Sequence, residues 1–447
     1  MRILHYSLGF PPYRSGGLTK LCVDLMIQQS KEGHNLSMLW PGKMGFLLKK
    51  TSIRKNASII LKGQCLCSYE IINPLPVPFD EGITDFNAFC NDVDERVYLE
   101  LLDELKPDII HVHTLMGLHK SFLLAAKKNG VKLVFTAHDF FPICPKVIMF
   151  CDGISCKHVN DFSKCGECNI TALGINTIKI LQSPIYRKLK DSIFVKKMRK
   201  NHRDKYLNEV KNKKTVCLEE KSERYRALRD YYYSLLKLMD IIHYNSTMTK
   251  SVYDSVFDLN KSCVINITHS DIVDKRLPKV YDDKKIRIRY LGPQGEAKGY
   301  YIIKKALDEL WKSKHNFCLD VHFKPLESSP YENIHESYSH HELKDIFDNT
   351  DILIAPSILY ETFGFTVLEA LSYGVPVIIS DTVGAKDILV DGAGIIVEDI
   401  SCDKLYDIIN NLTSEKLIAM NKTILEHQHI MMMKEFSELI NKKCYEV

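Results

Sequence analysis

The sequence has 447 residues, a length that favours two or three domains. Apolar residues make up 45% of it and charged residues 26%, which excludes collagen-like and wholly disordered chains. The formal net charge of +4 excludes a uniformly basic nucleic-acid-binding protein. The N-terminal stretch lacks a signal-peptide core, and no run reaches the roughly 18 apolar residues of a membrane span. We therefore expect a cytoplasmic protein that can still lie on the inner face of the membrane.

Short apolar runs alternate with helical patterns in the first and last thirds of the chain. In the first third the predicted strands are 3–6, 36–40, 108–112 and 132–136, with helices at 18–31 and 120–129. In the last third the predicted strands are 287–290, 318–322, 351–354, 375–380 and 395–397, with helices at 299–312, 341–348, 364–373 and 402–412. Strands that alternate with helices predict parallel sheets covered on both faces. The predicted fold class is α/β with two Rossmann-like domains.

The boundary between the two domains is predicted in a charged linker around 275–285. We expect an N-terminal domain over 1–275, a C-terminal domain over 276–420, and a final helix over 421–447 that packs back on the N-terminal domain. Within the N-terminal domain we expect a cysteine-rich loop at 144–168 and a basic helical insertion at about 175–238.

The predicted insertion is strongly basic. Residues 187–229 hold 16 Lys or Arg and 6 Asp or Glu, a local net charge of +10. This charge suits a solvated helical face or an anionic membrane surface, and less well the phosphates of nucleic acid. The run Tyr231–Tyr233, with Leu235 and Leu236 after it, suits a membrane interface. We expect no nucleic-acid partner.

The most informative segment is 355–380, APSILYETFGFTVLEALSYGVPVIIS. In it Gly364 opens a helix that carries Glu369, while Glu361 precedes that helix. The two carboxylates can therefore address different parts of one ligand at the mouth of the helix. A helix mouth favours a phosphate, because its first backbone N–H groups have no partner within the helix. Those groups belong to Phe365, Thr366 and Val367.

This Glu-x7-Glu segment, followed by Ala, Gly, Val and Pro, resembles the family 4 glycosyltransferases. These are retaining enzymes of the two-domain GT-B fold that use nucleotide-sugar donors. PPYRSGGLTKLCVDL, DIIHVHTL, KLVFTAHDFF, VINITHSDI and YLGPQGEAKGYYIIKKAL are similar to other segments of that family. The resemblance implies two domains that face each other across a cleft, with the acceptor on the N-terminal domain and a UDP- or GDP-sugar on the C-terminal one. It also implies a glycan or lipid-linked acceptor.

The resemblance assigns roles to residues of the C-terminal domain. Glu369 would bind the ribose hydroxyls of the donor, and Glu361 would contact sugar hydroxyls near the reacting centre. Lys298 would neutralise the diphosphate, which the amides from Gly364 to Val367 would hold. A cation and fixed dipoles aimed at the leaving phosphate stabilise the transition state, so no catalytic metal is expected.

On the N-terminal domain, Gly16 and Gly17 would let the backbone approach the donor, because they have no Cβ. His138 would lie at the reacting sugar. His113 could line the cleft beside it. The sequence departs from the family after Gly292, where an Arg is common and this chain continues PQG. The second cation is therefore missing or comes from elsewhere.

The predicted function is a retaining glycosyltransferase of the hexosyltransferase type, acting in cell-surface polysaccharide or glycolipid synthesis. A sugar-nucleotide epimerase of the GT-B type is one alternative, and it would release sugar without an acceptor. A non-catalytic scaffold that binds nucleotide-sugar is the other. The scaffold would need Glu369 but not Glu361.

Five of the 14 cysteines crowd into the cysteine-rich loop. They are Cys144, Cys151, Cys156, Cys165 and Cys168. The final pair has the Cys-x2-Cys spacing of a zinc knuckle, and His158 is a further candidate ligand. We predict a structural zinc that staples this loop near the cleft. An iron–sulfur cluster and free thiols are the alternatives.

Overall fold

The strands of the chain form two large sheets, and each sheet comes from a different part of the sequence. The structure is a computed structural model. It describes residues 1–11, 13–45, 50–78, 81–151, 153–157, 159–170, 172–190, 192, 219–259, 261–282 and 284–446. The centre of the predicted basic insertion, 193–218, lies outside the described residues, and so does His158.

The first sheet contains nine strands and is mainly parallel. In chain order the first eleven strands are β1 (Arg2–Tyr6), β2 (Asn35–Pro41), β3 (Ser52–Lys55), β4 (Ile59–Leu61), β5 (Gln64–Ile72), β6 (Ile109–Val112), β7 (Lys132–Ala137), β8 (Phe150–Cys151), β9 (Ile154–Ser155), β10 (Ile241–Tyr244) and β11 (Ser262–Val264). The sheet order is β11-β10-β7-β6-β1-β2-β5-β3, and β8 and β9 form a separate ribbon. Only β3 and β4 pair antiparallel, both with β5. The sequence patterns did not predict β3, β4 or β5, because β4 is only three residues long and polar residues interrupt the apolar pattern of β3 and β5.

The second sheet has six strands, all of them parallel. They are β12 (Ile286–Tyr290), β13 (Phe317–Val321), β14 (Glu332–Ile334), β15 (Ile352–Ala355), β16 (Val377–Ser380) and β17 (Gly394–Val397). Their order is β14-β13-β12-β15-β16-β17. The predicted two-unit α/β architecture is therefore confirmed.

Helices cover both sheets. They are α1 (Gly17–Lys31), α2 (Phe86–Cys90), α3 (Arg96–Leu105), α4 (Lys120–Lys128), α5 (Phe162–Cys168), α6 (Ile175–Leu181), α7 (Pro184–Leu189), α8 (Glu219–Leu236), α9 (Thr247–Asp254), α10 (Tyr300–Leu310), α11 (Leu343–Asp348), α12 (Phe365–Ser372), α13 (Cys402–Asn410), α14 (Ser414–His427) and α15 (Met433–Ile440). Several begin at a side-chain cap, as where Ser246 accepts from the Thr249 amide. No helix in the described ranges is long and apolar enough to cross a membrane.

An apolar cluster joins the two units. It includes Leu25 and Met26 of α1, Leu371 of α12, and Phe436 and Ile440 of α15, all of them buried. Full burial of each such side chain is worth roughly 1.5–3 kcal/mol. Helices from both units therefore share one core.

The last helix and the turn after it return to the first sheet. Helix α15 packs on α1, where Ser437 Oγ donates to Glu32 Oε2 at 2.7 Å. The Tyr445 hydroxyl lies 2.7 Å from His111 Nδ1 and accepts from Gln29 Nε2 at 3.3 Å. The end of the described chain thus supplies partners to buried polar groups of the first sheet.

Two sequence predictions are wrong in detail. The predicted final helix over 421–447 is divided between α14 and α15, because Gln428 is extended, with ψ of 120°. Tyr232, Leu235 and Leu236 are at most 1% exposed, and the Tyr232 hydroxyl donates to the Phe89 carbonyl oxygen. These three side chains are core residues and are not available to a membrane surface.

Replacement of Tyr445 by Phe tests the contribution of this C-terminal contact. Without the Tyr445 hydroxyl, the buried atoms His111 Nδ1 and Gln29 Nε2 each lose a hydrogen-bond partner. An unpaired buried polar group costs about 1–3 kcal/mol, so we expect the free energy of unfolding to fall by that amount. Urea denaturation measures it. Tyr301→Phe is the control, because Tyr301 is 42% exposed, and an equal loss in both variants would contradict the prediction.

Candidate active site

The predicted site residues follow the carboxyl ends of parallel strands. Gly16 and Gly17 lie in the loop after β1, His138 follows β7, and Glu361 lies in the loop after β15. The loops of the two sheets touch, since Thr362 Oγ1 donates to the His138 carbonyl oxygen at 3.1 Å. The two strand edges therefore meet across one cleft, where ligands commonly bind in α/β folds.

Glu361 and Lys298 form an ion pair in this cleft. Lys298 Nζ lies 2.9 Å from Glu361 Oε1, and the side chains are 34% and 18% exposed. Ser357 Oγ also donates to that carboxylate. Gly299, which follows Lys298, lets the loop of Lys298 approach the loop of Glu361. Its φ is +79°, and a Cβ there would lie 2.0 Å from the Pro356 carbonyl oxygen. The structure thus brings together two residues that are 63 positions apart in the sequence.

Helix α12 opens beside this pair. Gly364 has φ of +106°, and a Cβ there would lie 2.8 Å from Val383 Cγ1. No side chain caps the helix, and the Val367 amide donates to the Gly364 carbonyl oxygen at 3.1 Å. Two of the three amides proposed for phosphate binding, those of Phe365 and Thr366, therefore point out of the helix mouth.

Glu369 lies inside the helix and is only 3% exposed. Its Oε1 accepts a hydrogen bond from His269 Nε2 at 3.1 Å, and His340 Nδ1 lies 3.5 Å away. His269 follows β11 of the first sheet, so this contact crosses between the units. Sequence analysis quoted the segment that contains His269 but did not assign it, because no spacing rule links it to Glu369.

The glycine loop of the first unit reaches the mouth of α12. Gly16 has φ of +110°, a conformation that favours glycine. A Cβ on Gly17 would lie 3.2 Å from the Phe365 ring. The backbone conformation therefore favours glycine at position 16, and Gly17 lies in close contact with Phe365 of the other unit.

His138 ends a chain of hydrogen bonds through the first sheet. Gln29 Oε1 can only accept, so His5 Nε2 donates to it at 3.0 Å. A neutral imidazole has one donor and one acceptor, so His113 Nε2 donates to His5 Nδ1, and His138 Nε2 to His113 Nδ1. Asn245 Nδ2 donates to His138 Nδ1 at 3.4 Å. The chain fixes one tautomer of His138.

Burial keeps these histidines neutral. It lowers the pKa of His5 and of His138 to about 3, and that of His113 well below its usual value. His113, predicted as a candidate for the cleft lining, is instead 1% exposed and contacts His138. His138 therefore serves as a neutral hydrogen-bonding group rather than as a cation.

His5, His111 and His113 are the one group of three potential metal ligands whose atoms lie within 4.8 Å of one another in the part of the chain that is described. All six ring nitrogens already have partners. His111 contacts Tyr445 and Thr136, and the other two belong to the chain that ends at His138. No ion is needed to satisfy them.

The cysteine-rich loop lies against the second unit. Ser155 Oγ donates to the Ile358 carbonyl oxygen at 2.6 Å, close to Glu361. Cys144, Cys156 and Cys165 are near enough to affect one another electrostatically, and burial raises the pKa of Cys165 to about 12. Zinc needs thiolates, so a bound ion would have to displace these protons. The structural zinc stays a prediction.

The junction between the units also includes residues that the sequence did not single out. The Thr362 carbonyl oxygen accepts from Ser246 Oγ at 2.8 Å and from Thr249 Oγ1 at 3.1 Å. Asp387 accepts from the amide and the hydroxyl of Thr247. These contacts fix the Glu361 loop relative to the first sheet.

The strand arginines do not supply the second cation. Arg287 pairs with Asp351 at 2.6 Å. Arg289 is 3% exposed, and its guanidinium contacts Thr350 and lies 3.7 Å from Asp320. Both side chains are engaged within the second unit. Lys298, and neither of these arginines, pairs with Glu361 in the cleft.

Two family models match the chain. The model described as "Glycosyltransferase Family 4" matches residues 15–158, and the model described as "Glycosyl transferases group 1" matches residues 332–427. The first range contains the glycine loop and His138, and the second contains Glu361 and Glu369.

Solved structures with similar folds cover almost the whole chain. Sucrose-phosphate synthase from Thermosynechococcus elongatus has a TM-score of 0.57 at 12% identity, over 98% of this chain and 97% of the other. Anabaena Alr3699/HepE in complex with UDP and glucose has a TM-score of 0.54 at 12% identity, over 100% of both chains. A glycosyltransferase from Rickettsia africae has 0.56 at 15%, over 99% and 97%. At such identities these likenesses establish the fold alone.

One curated relative is similar over part of its length. It is an uncharacterized 41.2 kDa protein in the cps region of Klebsiella pneumoniae, 29% identical over 195 residues. The match spans 40% of this chain and 53% of the relative. The chain therefore matches about half the length of the Klebsiella pneumoniae protein.

Asp139, next to His138, gives the site a pH dependence. Burial raises the pKa of its carboxyl to about 6, although it accepts from the Phe141 amide and the Thr114 hydroxyl. Because the folded state binds the proton more tightly than the unfolded state, the resulting stabilisation is complete below about pH 4 and is lost as the pH rises through 6. Relative to Asp139→Asn, wild type should lose roughly 1–3 kcal/mol of unfolding free energy over that range, at about 1.4 kcal/mol per pKa unit.

Urea denaturation of both proteins at several pH values measures this difference. Other titrating groups cancel in the comparison, because the variant retains them. A difference that stays constant with pH, or that grows in favour of wild type, would contradict the raised pKa.

Proposed function

Because the chain belongs to the family 4 type of GT-B glycosyltransferases, we propose that it is a retaining enzyme that moves a hexose from a nucleotide-diphosphate sugar to an acceptor. The relative in a cps region supports a role in cell-surface polysaccharide synthesis. The likeness to a protein solved with UDP and glucose supports a UDP-sugar as the donor.

The ion pair between Lys298 and Glu361 at the mouth of α12 carries this proposal. Glu361 Oε1 lies 2.9 Å from the Lys298 ammonium. Gly364, where the helix begins, lies beside the same carboxylate. A diphosphate that enters the helix mouth would compete for the same ammonium, and Glu361 would then be released to contact sugar hydroxyls.

The proposed chemistry breaks the bond between the anomeric carbon and the diphosphate. Negative charge grows on the leaving oxygen, and the helix-mouth amides and Lys298 stabilise it there. The sugar becomes positively charged, and neutral His138 can accept from one of its hydroxyls at Nδ1 without repelling it. The leaving phosphate would take the proton of the acceptor hydroxyl, so that no catalytic metal is required.

The donor domain in this proposal is 276–420, and the acceptor domain is 1–275, closed by the final segment. Glu369 would hold the ribose hydroxyls with Oε2, because Oε1 is bonded to His269. His269 thereby joins the proposed donor site as a residue that orients Glu369.

Two further proposals concern the rest of the chain. A structural zinc in the cysteine-rich loop would appear as about one equivalent by elemental analysis of the purified protein, and its absence would leave free thiols. The charge of residues 187–229 supports peripheral binding to an anionic membrane, at about 1 kcal/mol for each basic residue near the surface.

The donor site is tested by thermal shift with UDP, GDP, ADP and CDP. A ligand at 100 times its dissociation constant adds about 2.7 kcal/mol to the stability of the protein that binds it. We expect one nucleotide to stabilise wild type and not Glu369→Ala. Glu309→Ala is the matched control, an exposed glutamate on α10 that should respond as wild type does. No shift with any nucleotide would contradict the donor site.

Activity is tested by nucleotide release from the sugar donor, with and without a glycan acceptor extract. Lys298→Ala should lower kcat by about 10²–10³, the usual loss when one group facing a developing oxyanion is removed. Lys305→Ala on the exposed face of α10 should leave it unchanged. Sugar release without acceptor would favour an epimerase, and binding without any release would favour a scaffold.

A further inference from the structure

A pair of arginines lies on the acceptor side of the cleft. Arg14 belongs to the loop between β1 and α1, and Arg187 belongs to α7. The two side chains are near enough that the charge of Arg187 acts on Arg14. Lys190 Nζ donates to the Tyr13 carbonyl oxygen at 3.0 Å, which ties the end of α7 to the same loop. Two segments that are far apart in sequence thus present their guanidinium groups together.

Neither guanidinium donates a hydrogen bond to any residue of the described ranges. Burial, followed by repulsion from Arg187, lowers the pKa of Arg14 to about 10. Arg187 is 15% exposed, and its nearest carboxylate, that of Glu70, lies 3.7 Å away and also pairs with Arg54. An arginine has five N–H donors, and buried donors without acceptors are costly. The site therefore has unused capacity for an anion.

A third donor lies beside the two guanidinium groups. The indole nitrogen of Trp40 is buried and has no hydrogen-bond partner among the described residues. The Arg187 guanidinium stacks over the Trp40 ring at 4.7 Å. Gly9 lies against Arg14 and Trp40, since a Cβ there would be 3.6 Å from Arg14 Cγ and 3.6 Å from Trp40 Cε3. Arg14 and Arg187 therefore both flank the Trp40 side chain.

This arginine site lies on the same strand edge as His138. Arg14 follows β1 and Trp40 lies near the end of β2, and these strands are two and three positions from β7 in the sheet. At about 4.8 Å per strand, the site is roughly 10–14 Å from His138 along the cleft. An acceptor that reached both places would be extended.

We propose that Arg14, Arg187 and the Trp40 indole bind an oxyanion of the acceptor, a phosphate or a carboxylate, at a distance from its reacting hydroxyl. The proposal rests on the proposed glycosyl transfer and adds to it the chemical class of the acceptor. Guanidinium groups hold phosphates and carboxylates through two parallel hydrogen bonds, which fixes the orientation of the bound molecule. The acceptor is then a phosphate-linked or acidic glycan and not a neutral sugar.

Tryptophan fluorescence tests this site, because the chain has two tryptophans and Trp311→Phe leaves only Trp40. Inorganic pyrophosphate and glucuronate are titrated at constant ionic strength, with saturating UDP present to occupy the donor site. Glucose is the neutral control. We expect a saturable change in Trp40 emission with at least one anion and none with glucose. Preference for pyrophosphate indicates a phosphate-linked acceptor, and preference for glucuronate indicates an acidic sugar.

Arg187→Gln and Arg14→Gln should each weaken anion binding at least about tenfold. Arg96→Gln is the matched control, an exposed arginine that pairs with Asp94 and should change nothing. If Trp311→Phe does not fold, titration calorimetry of the protein with both tryptophans replaces the fluorescence measurement.

Four results would overturn the arginine site. The first three are no response to either anion, an equal response to glucose, and unchanged anion affinity in both arginine variants. The fourth is a loss of UDP binding in Arg14→Gln that matches its loss of anion binding, since that would place Arg14 in the donor site. UDP binding is recorded separately, so a protein that binds the anion but no nucleotide would contradict the proposed donor and leave the arginine site intact.

Discussion

Thr362 holds the two halves of the site together. Its carbonyl oxygen accepts from two hydroxyls of the first unit, and its own hydroxyl donates to the backbone at His138. Glu361 is its immediate neighbour in the chain. The position of the cleft carboxylate relative to the histidine opposite it therefore depends on three hydrogen bonds at one residue. Gly384 permits them, because a Cβ there would lie 2.4 Å from the Thr362 carbonyl oxygen.

The charges of the cleft are distributed unevenly between its two walls. On the second unit, an ammonium and a carboxylate face the mouth of an uncapped helix. On the first unit, burial keeps the histidine wall neutral. In the proposed reaction, the wall of neutral imidazoles would accommodate a sugar that gains positive charge, and the opposite wall would accommodate a leaving group that gains negative charge. The separation of these roles follows from which side chains are buried.

Local patterns predicted most of the parallel strands, the helix that carries Glu369 and the glycine loop, because each depends on residues close together in sequence. The sequence singled out Lys298 and Glu361 as separate candidates but did not predict their ion pair, because strand order decides that their loops meet. The bond from His269 to Glu369 and the chain from Gln29 to His138 join segments with no common spacing. Such contacts belong to the topology, and no periodicity in the sequence encodes them.

The return of the C-terminal segment to the first sheet has a consequence for synthesis. Domains generally fold from the N terminus as the chain emerges from the ribosome. Here the apolar face of α1, and the buried polar groups that contact Tyr445, have no cover until α15 and the turn after it are made. The first unit therefore closes only after the second unit has been synthesised, so the folding of the two units is coupled.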